Sequence, residues 1–528
     1  MDTNSIIPAQ KKVVNVEILH LDELGYGPQG KHTRRDWRTE CLENLRKGKA
    51  DFEIWQEGWA HLINEDEEKV RFGCALKYDD GSSVDTLSWN TSPGYALDFS
   101  GYFFETDIFL NHYIFKQKTL FSGTVFQSDI YFGAVTFEDD VDFECCDFNT
   151  VSFFENTKFK RNTDFNKTVF RAVVFFSCCS FDEFVCFNQS IFLQYADFHE
   201  AIIEGTFEAK NVKFYNNVFF YKSQFSNKDA SINFHRTEFF EKIDFYDSNI
   251  NCMISFDKVV FYGDVNFNRT IFNEKSYFSK AKFLGKCLFF NTIFKKYCDF
   301  ENASFENIGY FEGAFFQTKV PAFRGCKIDE TRLEFSDKTK FSTNDFDDGA
   351  IENVSFLKRL SDEHGQTDQA LRFNAIELRL KRLSSNSDIG YKTVTWLYEK
   401  LSDYGRSFMR PILSYITLLV VSAIIAMTYS TYSKSPVEES QVLCKQTKDQ
   451  PQLKLSYERA VFEYAMFRAG GLMDFTDTGK QNNAVNCRLF EEPIEPPLMR
   501  AWGIFKGIAS IALLFLAALG LRNKYRIK

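Results

Sequence analysis

The chain has 528 residues, a formal charge of −9 and 61 phenylalanines beside 10 prolines and 6 tryptophans. It is too long for one small domain, too apolar and aromatic for a disordered chain, and without the composition of collagen. A general core mixes Leu, Ile, Val and Phe, so phenylalanine at this level points to one local environment copied many times.

Residues 1–96 show helical patterning across 34–62 and read as an N-terminal cap for the repeats that follow, because an uncovered first coil would expose strand edges. Gly25, Gly27 and Gly30 match a dinucleotide fingerprint as a string, with a candidate strand at 13–19 before them. Pro28 and the charged stretch 31–38 do not build the tight helix start that the fingerprint needs, so the segment reads as a turn.

Across 97–341 the phenylalanines are counted out. Phe121, Phe132, Phe143, Phe154, Phe165, Phe176, Phe187 and Phe198 fall at every eleventh position, and Phe126, Phe137, Phe148, Phe159, Phe170, Phe181 and Phe192 lie between them at alternating spacings of 5 and 6. Phe245, Phe256, Phe267, Phe278, Phe289, Phe300 and Phe311 repeat the rule, interleaved with Phe261, Phe272, Phe283, Phe294, Phe305 and Phe316. The residue two before each Phe is small or β-branched, as in Val141, Cys146, Thr163, Ala196, Val265 and Ala281. Positions two apart on a strand share a face, so each short segment points one bulky and one small side chain inward and then turns on polar residues. A helical repeat of eleven has the same period, but Phe, Thr, Val and Asn at this density are poor helix formers. The pattern predicts a mainly β chain, a solenoid with four short faces, about 22 residues per coil and about 11 coils, forming a rod of roughly 50 Å. The eleven-spaced phenylalanines would form its structural spine, each contributing roughly 1.5–3 kcal/mol by burial before ordering entropy is subtracted.

Segments such as Ala196-Asp197-Phe198, Val265-Asn266-Phe267 and Ala303-Ser304-Phe305 resemble the A-D/N-L/F core of the pentapeptide-repeat family, in a Phe-centred variant. The resemblance implies that family's right-handed quadrilateral β-helix. The two arrays are out of phase by three positions, which predicts an inserted surface loop within 225–234.

Beyond about residue 345 the pattern becomes helical. Residues 342–410 read as a cytoplasmic helical linker with helices at 353–363, 367–383 and 391–403. An uncharged run at 411–431 and a second apolar run at 502–521 each approach the length of a membrane span, the second only if Lys506 snorkels to the interface. Lys400, Arg406 and Arg410 precede the first run, and Arg522, Lys524, Arg526 and Lys528 fill the tail 522–528. The positive-inside rule then places both termini in the cytoplasm and the loop 432–501, with a short helix at 455–468, outside a bacterial inner membrane. Tyr404, Arg406, Arg410, Pro411, Trp502, Arg522, Lys524 and Arg526 are the expected interface anchors, with membrane lipid as partner. Cys444 and Cys487, the only cysteines of the outside loop, are candidates for one disulfide worth on the order of 3–4 kcal/mol in the chain-entropy model. The stretch 402–407 with Arg410 and Pro411, and the terminal 516–528, look like the C-terminal module of bacterial membrane-anchored pentapeptide-repeat proteins, a group largely without an assigned activity.

Little in the sequence carries chemistry. Cys146, Cys179, Cys287 and Cys298 occupy the small inward position as compact hydrophobes. The adjacent pairs Cys145-Cys146 and Cys178-Cys179 lack metal-ligand spacing, the seven His do not cluster with them, and neither a nucleophile elbow, an H-E-x-x-H nor a phosphate loop is present. The expectation is therefore no enzyme, no cofactor and no metal, but a membrane-anchored scaffold for an unidentified protein partner or for a homo-oligomer. A channel-like or signal-transducing two-span protein is the alternative, although 467–474 lacks a T-x-G-Y-G-like filter and Arg468 would repel cations. A DNA mimic is the lesser one: 27 Lys and Arg against 34 Asp and Glu across 98–340 leave a net of −7. Duplex DNA of that length carries roughly 30 charges. The local cluster Glu138, Asp139, Asp140, Asp142, Glu144 and Asp147 does not change that, and no nucleic-acid partner is expected.

Overall fold

The structure is a computed structural model that describes residues 13–18, 34–59, 69–78, 83–91, 96–328, 333–342, 348–384, 387–432, 444, 456–467, 479–491 and 496–525. It divides into two compact units, Met1–Phe356 and Leu357–Lys528.

The first unit is a quadrilateral parallel β-solenoid of about 11 turns. Face I runs from Leu97–Asp98 to Cys298–Asp299, face II from Phe103–Phe104 to Lys327–Ile328, face III from Ile108–Phe109 to Leu333–Glu334, and face IV from Ile114–Phe115 to Lys340–Phe341. Each two- or three-residue strand pairs in parallel with the strand one coil on, as Val141 with Thr163, Asp147 with Val169, Ser152 with Val174 and Lys158 with Ser180. The sequence period is thus a hydrogen-bonding register.

The spine resolves into four columns. Rings one coil apart stack, Phe121 on Phe143 at 4.9 Å and Phe143 on Phe165 at 4.8 Å, with planes 2° apart. Rings half a coil apart meet edge to face, Phe121 with Phe132 at 5.9 Å and 77°. Successive members of the eleven-spaced series therefore lie on opposite faces I and III, while the interleaved series fills faces II and IV. Both contacts suit the ring quadrupole. Every residue of the eleven-spaced series is at most 1% exposed.

Where the small position before a face II or face IV ring is Thr, Ser or Cys, it also supplies a donor, whereas Val135, Val259 and Ala281 only fill space. Thr124, Thr157, Thr168, Thr270 and Thr292 donate their hydroxyls to the carbonyls of Phe99, Phe132, Phe143, Phe245 and Phe267 at 2.6–2.9 Å. Cys146 and Cys179 donate thiols to Phe121 and Phe154 in the same way, at 2.9 and 2.8 Å. These two cysteines are therefore donors as well as compact hydrophobes, and Thr, Ser and Cys recur here because each is small and each satisfies a buried carbonyl.

Two of the four corners are tight turns in which the second residue after the spine Phe is left-handed, from His112 through Cys145, Lys167 and Lys222 to Asn302, with φ between 55° and 64°. The following small residue donates back to the spine carbonyl, as Cys146 N to Phe143 O at 3.2 Å, which is type II turn geometry. The predicted insertion is confirmed at 226–230. Gln224 pairs with Asn249, three positions later than the period would place its partner, whereas Ile232 pairs with Ile254 in the ordinary register. One coil before it, Phe207 and Ala209 reverse the usual order of small then large, and both remain buried, so volume is kept.

The open end of face IV is closed by helix α2 (Lys49–Trp59), while helix α1 (Arg34–Arg46) packs at the start of face I, where Trp37 donates to Ala96 O. Gln56, fully buried, accepts from Lys116 N at 2.9 Å and donates to Ile114 O at 3.0 Å, so its amide takes the place of a missing strand. Phe52 packs edge-on against Phe115 at 5.4 Å. Strand Val13–Ile18 exists, but pairs antiparallel with Lys69–Tyr78, itself in a hairpin with Ser83–Thr91 that the sequence pattern did not reveal. An antiparallel partner is not the βαβ unit of a dinucleotide fold. The Gly25–Gly30 turn lies outside the described residues.

Helices α3 (Asp348–Glu363), α4 (Thr367–Leu383) and α5 (Ile389–Ser402) follow the solenoid. Helix α6 (Met409–Tyr432) and helix α9 (Pro497–Tyr525) are long and apolar enough to cross a membrane. Helix α9 starts earlier than the apolar run alone indicates, on Pro497, a residue suited to the first turn. Between them lie α7 (Tyr457–Phe467), near its expected place, and α8 (Gly479–Leu489), which the sequence pattern does not announce.

Phe267→Asp puts an unpaired charge between the rings of Phe245 and Phe289 and is expected to cost several kcal/mol, read as lost protease resistance of the rod. Gln56→Leu keeps the packing volume but leaves the face IV edge unpaired. It should convert a monodisperse protein into one that self-associates, measured by light scattering.

Candidate functional site

In the second unit, the segment from Ser402 to Phe408 is a structural joint. Asp403, Tyr404 and Gly405 all have positive φ, 51°, 56° and 79°, which turns the chain sharply between α5 and α6. A Cβ at Gly405 would sit 2.8 Å from the Tyr398 hydroxyl, so only glycine fits. Asn523 donates to Gly405 O at 2.9 Å, and a Cβ at Gly520 would lie 2.8 Å from the backbone of Phe408, so the end of α9 is seated on the joint. Asp403 faces Arg379 at 3.5 Å, Arg406 at 3.6 Å and Arg410 at 3.9 Å, while Glu399 pairs with Arg382 at 2.6 Å and Arg379 at 3.0 Å. Burial alone would raise Glu399, yet the Arg382 hydrogen bond and the charges of Arg379 and Arg382 hold it below the usual carboxylate range.

Tyr404 was expected at the headgroups, and the structure corrects this. It is 1% exposed, its ring is edge-on to Tyr398 at 5.5 Å, and its hydroxyl donates to Glu399 at 3.4 Å. Burial, followed by the charge of Glu399, pushes its phenol up to about 12. Pro411 is buried in the first turn of α6, Trp502 is half-buried against Phe505, and Arg522 and Lys524 are exposed, with Lys524 4.9 Å over the Phe408 ring. Arg526 lies outside the described residues. Helix α5 leaves Ile389, Val394 and Trp396 exposed.

Lys506 is the second correction. It does not snorkel: it is fully buried, and its ammonium donates to the carbonyls of Tyr464 at 2.8 Å and Ala465 at 3.3 Å, at the C-terminal end of α7, and sits 5.0 Å from the Tyr464 ring centroid. A cation there satisfies carbonyls left over by the helix and opposes its dipole. Tyr464, Ala460, Val461, Leu489, Phe490, Met499 and Ala426 form one apolar cluster joining α6, α7, α8 and α9. Cys444 and Cys487 are bridged, with Cα atoms 5.3 Å apart. A groove of about 720 Å³ between α6 and α9 is lined by Ile425, Tyr429, Leu498, Trp502 and Phe505.

On the solenoid, half of the acidic cluster is buried, while Glu138 is exposed and pairs with Lys160, and Asp139 and Asp140 are half-buried. Asp142, Glu144 and Asp147 are buried, with Arg171 bidentate on Asp147 at 2.8 and 3.1 Å and Lys167 3.3 Å from Glu144. Burial and then the charge of Glu144 raise Asp142, and burial and then the charge of Asp142 push Asp164 up to about 8. Burial likewise raises Cys186 and Cys252, to about 12. Among the described residues no group of His, Cys, Asp and Glu could hold a metal ion. The four stacked parallel sheets are consistent with a pentapeptide-repeat fold. No family model, curated protein or solved structure matches the chain.

An unfolded carboxyl titrates near 4, so between about pH 4 and about pH 8 the folded rod retains protons that the unfolded chain has lost, and stability falls as pH rises. Asp164→Asn keeps the acceptor for Asn166 N and should raise Tm at about pH 8 while changing little at about pH 4. Lys506→Met leaves α7 carbonyls unsatisfied in an apolar setting and should cost roughly 1–3 kcal/mol, read as a lower Tm of the detergent-solubilised chain.

Proposed function

We propose that the chain is a membrane-anchored cytoplasmic scaffold of the bacterial pentapeptide-repeat type, which holds a rigid solenoid at the inner membrane for a protein partner. The observation that carries the reading is the pairing of a solenoid of uniform, saturated interior with a helical unit whose polar groups are spent on assembly. Arg406, Arg410, Arg522 and Lys524 gather where α6 begins and α9 ends, and the Cys444–Cys487 bridge lies at their opposite ends. That distribution fits cytoplasmic termini and an oxidising outer compartment.

The buried thiols argue for a non-catalytic role, since a thiol raised by burial supplies little thiolate. Against a cation pore stands Lys506, whose own ammonium occupies the carbonyl end of α7, where a permeating cation would be stabilised. The paired and buried carboxylates of face I weigh against a DNA mimic.

The full chain is expected to stay with membranes after carbonate washing, and a chain truncated after Ser342 to be soluble. Proximity labelling from the N-terminus in intact cells should enrich cytoplasmic proteins. Enrichment of extracytoplasmic proteins instead would reverse the topology, and an unchanged background would remove the scaffold reading.

A further inference from the structure

Outward positions on most of the solenoid are polar or aliphatic, but two columns are aromatic: a short stack of Tyr215, Phe240 and Tyr262 beside face II, and a longer ladder at the first coils of face III. Phe109 stacks on Tyr131 at 4.7 Å, Tyr131 on Phe153 at 4.8 Å and Phe153 on Phe175 at 5.4 Å, all within 10° of parallel. The column presents ring edges to the outside, and at its start Phe109 is 64% exposed, with no further face III strand among the described residues on the outer side of its ring. The edges are flanked by carboxylates. Asp129 and Asp107 lie close enough to Tyr131 that, added to burial, they raise its phenol, and Asp197 and then Glu155 act likewise on Tyr195, which meets Phe175 edge-on at 5.7 Å. Glu105 stands four positions before Phe109 and is exposed. Among the described residues none of Glu105, Asp107, Asp129 and Glu155 is paired with a cation, whereas the nearby cations Arg171 and Lys222 are already paired, with Asp147 and Glu200.

We propose that this strip docks a cationic amphipathic segment of a partner protein, its apolar side chains lying along the ring edges and its Lys or Arg residues meeting the flanking carboxylates and the open ring face of Phe109. The proposal rests on the scaffold reading and names the partner's chemistry. Charge complementarity selects the occupant: the sign excludes nucleic acid and an anionic bilayer, and an uncharged apolar segment would leave four carboxylates without a cation beside it. A cation over the free face of Phe109 gains from the ring quadrupole. Three coil rises of about 4.8 Å make the ladder roughly 15 Å long, the reach of about five extended residues.

The test uses the full chain in an uncharged detergent and a fluorescein-labelled decapeptide of alternating Leu and Lys, with a Leu and Glu decapeptide as control, read by fluorescence polarisation. Saturable binding of the Lys peptide alone, weakened as salt rises, is expected. Replacing three rings together, Tyr131→Ser, Phe153→Ser and Phe175→Ser, should weaken it tenfold or more. Asp107→Asn with Asp129→Asn keeps the acceptors for Asp129 N and Val151 N, so the fold is undisturbed, and should weaken binding several-fold at low salt only. Equal binding by wild type and the three-ring variant, or no saturable binding, would overturn the strip assignment. So would a ladder-dependent doubling of mass without peptide, which would make a second copy of the chain the occupant. Failure here leaves proximity labelling of partners intact as the separate test of the scaffold reading.

Discussion

Everything in the solenoid follows from one coincidence of lengths. Parallel strands bonded backbone to backbone lie about 4.8 Å apart, and phenylalanine rings in the interior stack at 4.5–5.4 Å from coil to coil, several of them at 4.8–4.9 Å. A ring on each of four faces, repeated at that rise, fills the interior without a gap and meets its neighbours edge to face. Any coil must then supply nearly the same interior volume. The exchange at Phe207 and Ala209 respects that constraint, and the segment 226–230 is expelled to a corner rather than accommodated within.

The same constraint decides where function can reside. Interior positions are rings, aliphatic side chains or small donors committed to the carbonyls of the coil before, so buried chemistry has no room, and burial keeps the interior thiol of Cys179 protonated. What varies freely is the outward column of each face, and that is where the face III aromatic ladder stands beside carboxylates that no cation meets. In the second unit the polar groups are likewise spent on structure: Asp403 and Glu399 gather the arginines of the joint, and Lys506 closes the end of α7.

The fold was legible because its period is a number. Spacings of 5 and 6 between phenylalanines encode a four-sided coil directly, and a slip of three positions in their phase locates the insertion. The left-handed corners were not legible, since residues as different as Lys167, Cys145 and His112 occupy them and only the turn geometry unites them. Gln56 standing in for a strand was invisible, because one amide in a helix has no pattern. Flanking charge pointed correctly to the region of the joint, but it could not show that Tyr404 faces carboxylates and arginines instead of lipid, nor that Lys506 has carbonyl partners on a helix distant in sequence.

Coil register across the insertion tests the account most directly. Spin labels at 224 and 249, in a chain with the exposed Cys178 replaced by Ser, should sit on adjacent strands and show strong dipolar broadening, because Gln224 pairs with Asn249. Labels at 224 and 246, one ordinary period apart, should show clearly weaker broadening, while labels at 158 and 180, with the same separation but before the insertion, should show it strongly. Strong broadening for 224 with 246 and weak broadening for 224 with 249 would contradict the register, and with it the stacked columns on which the fold depends.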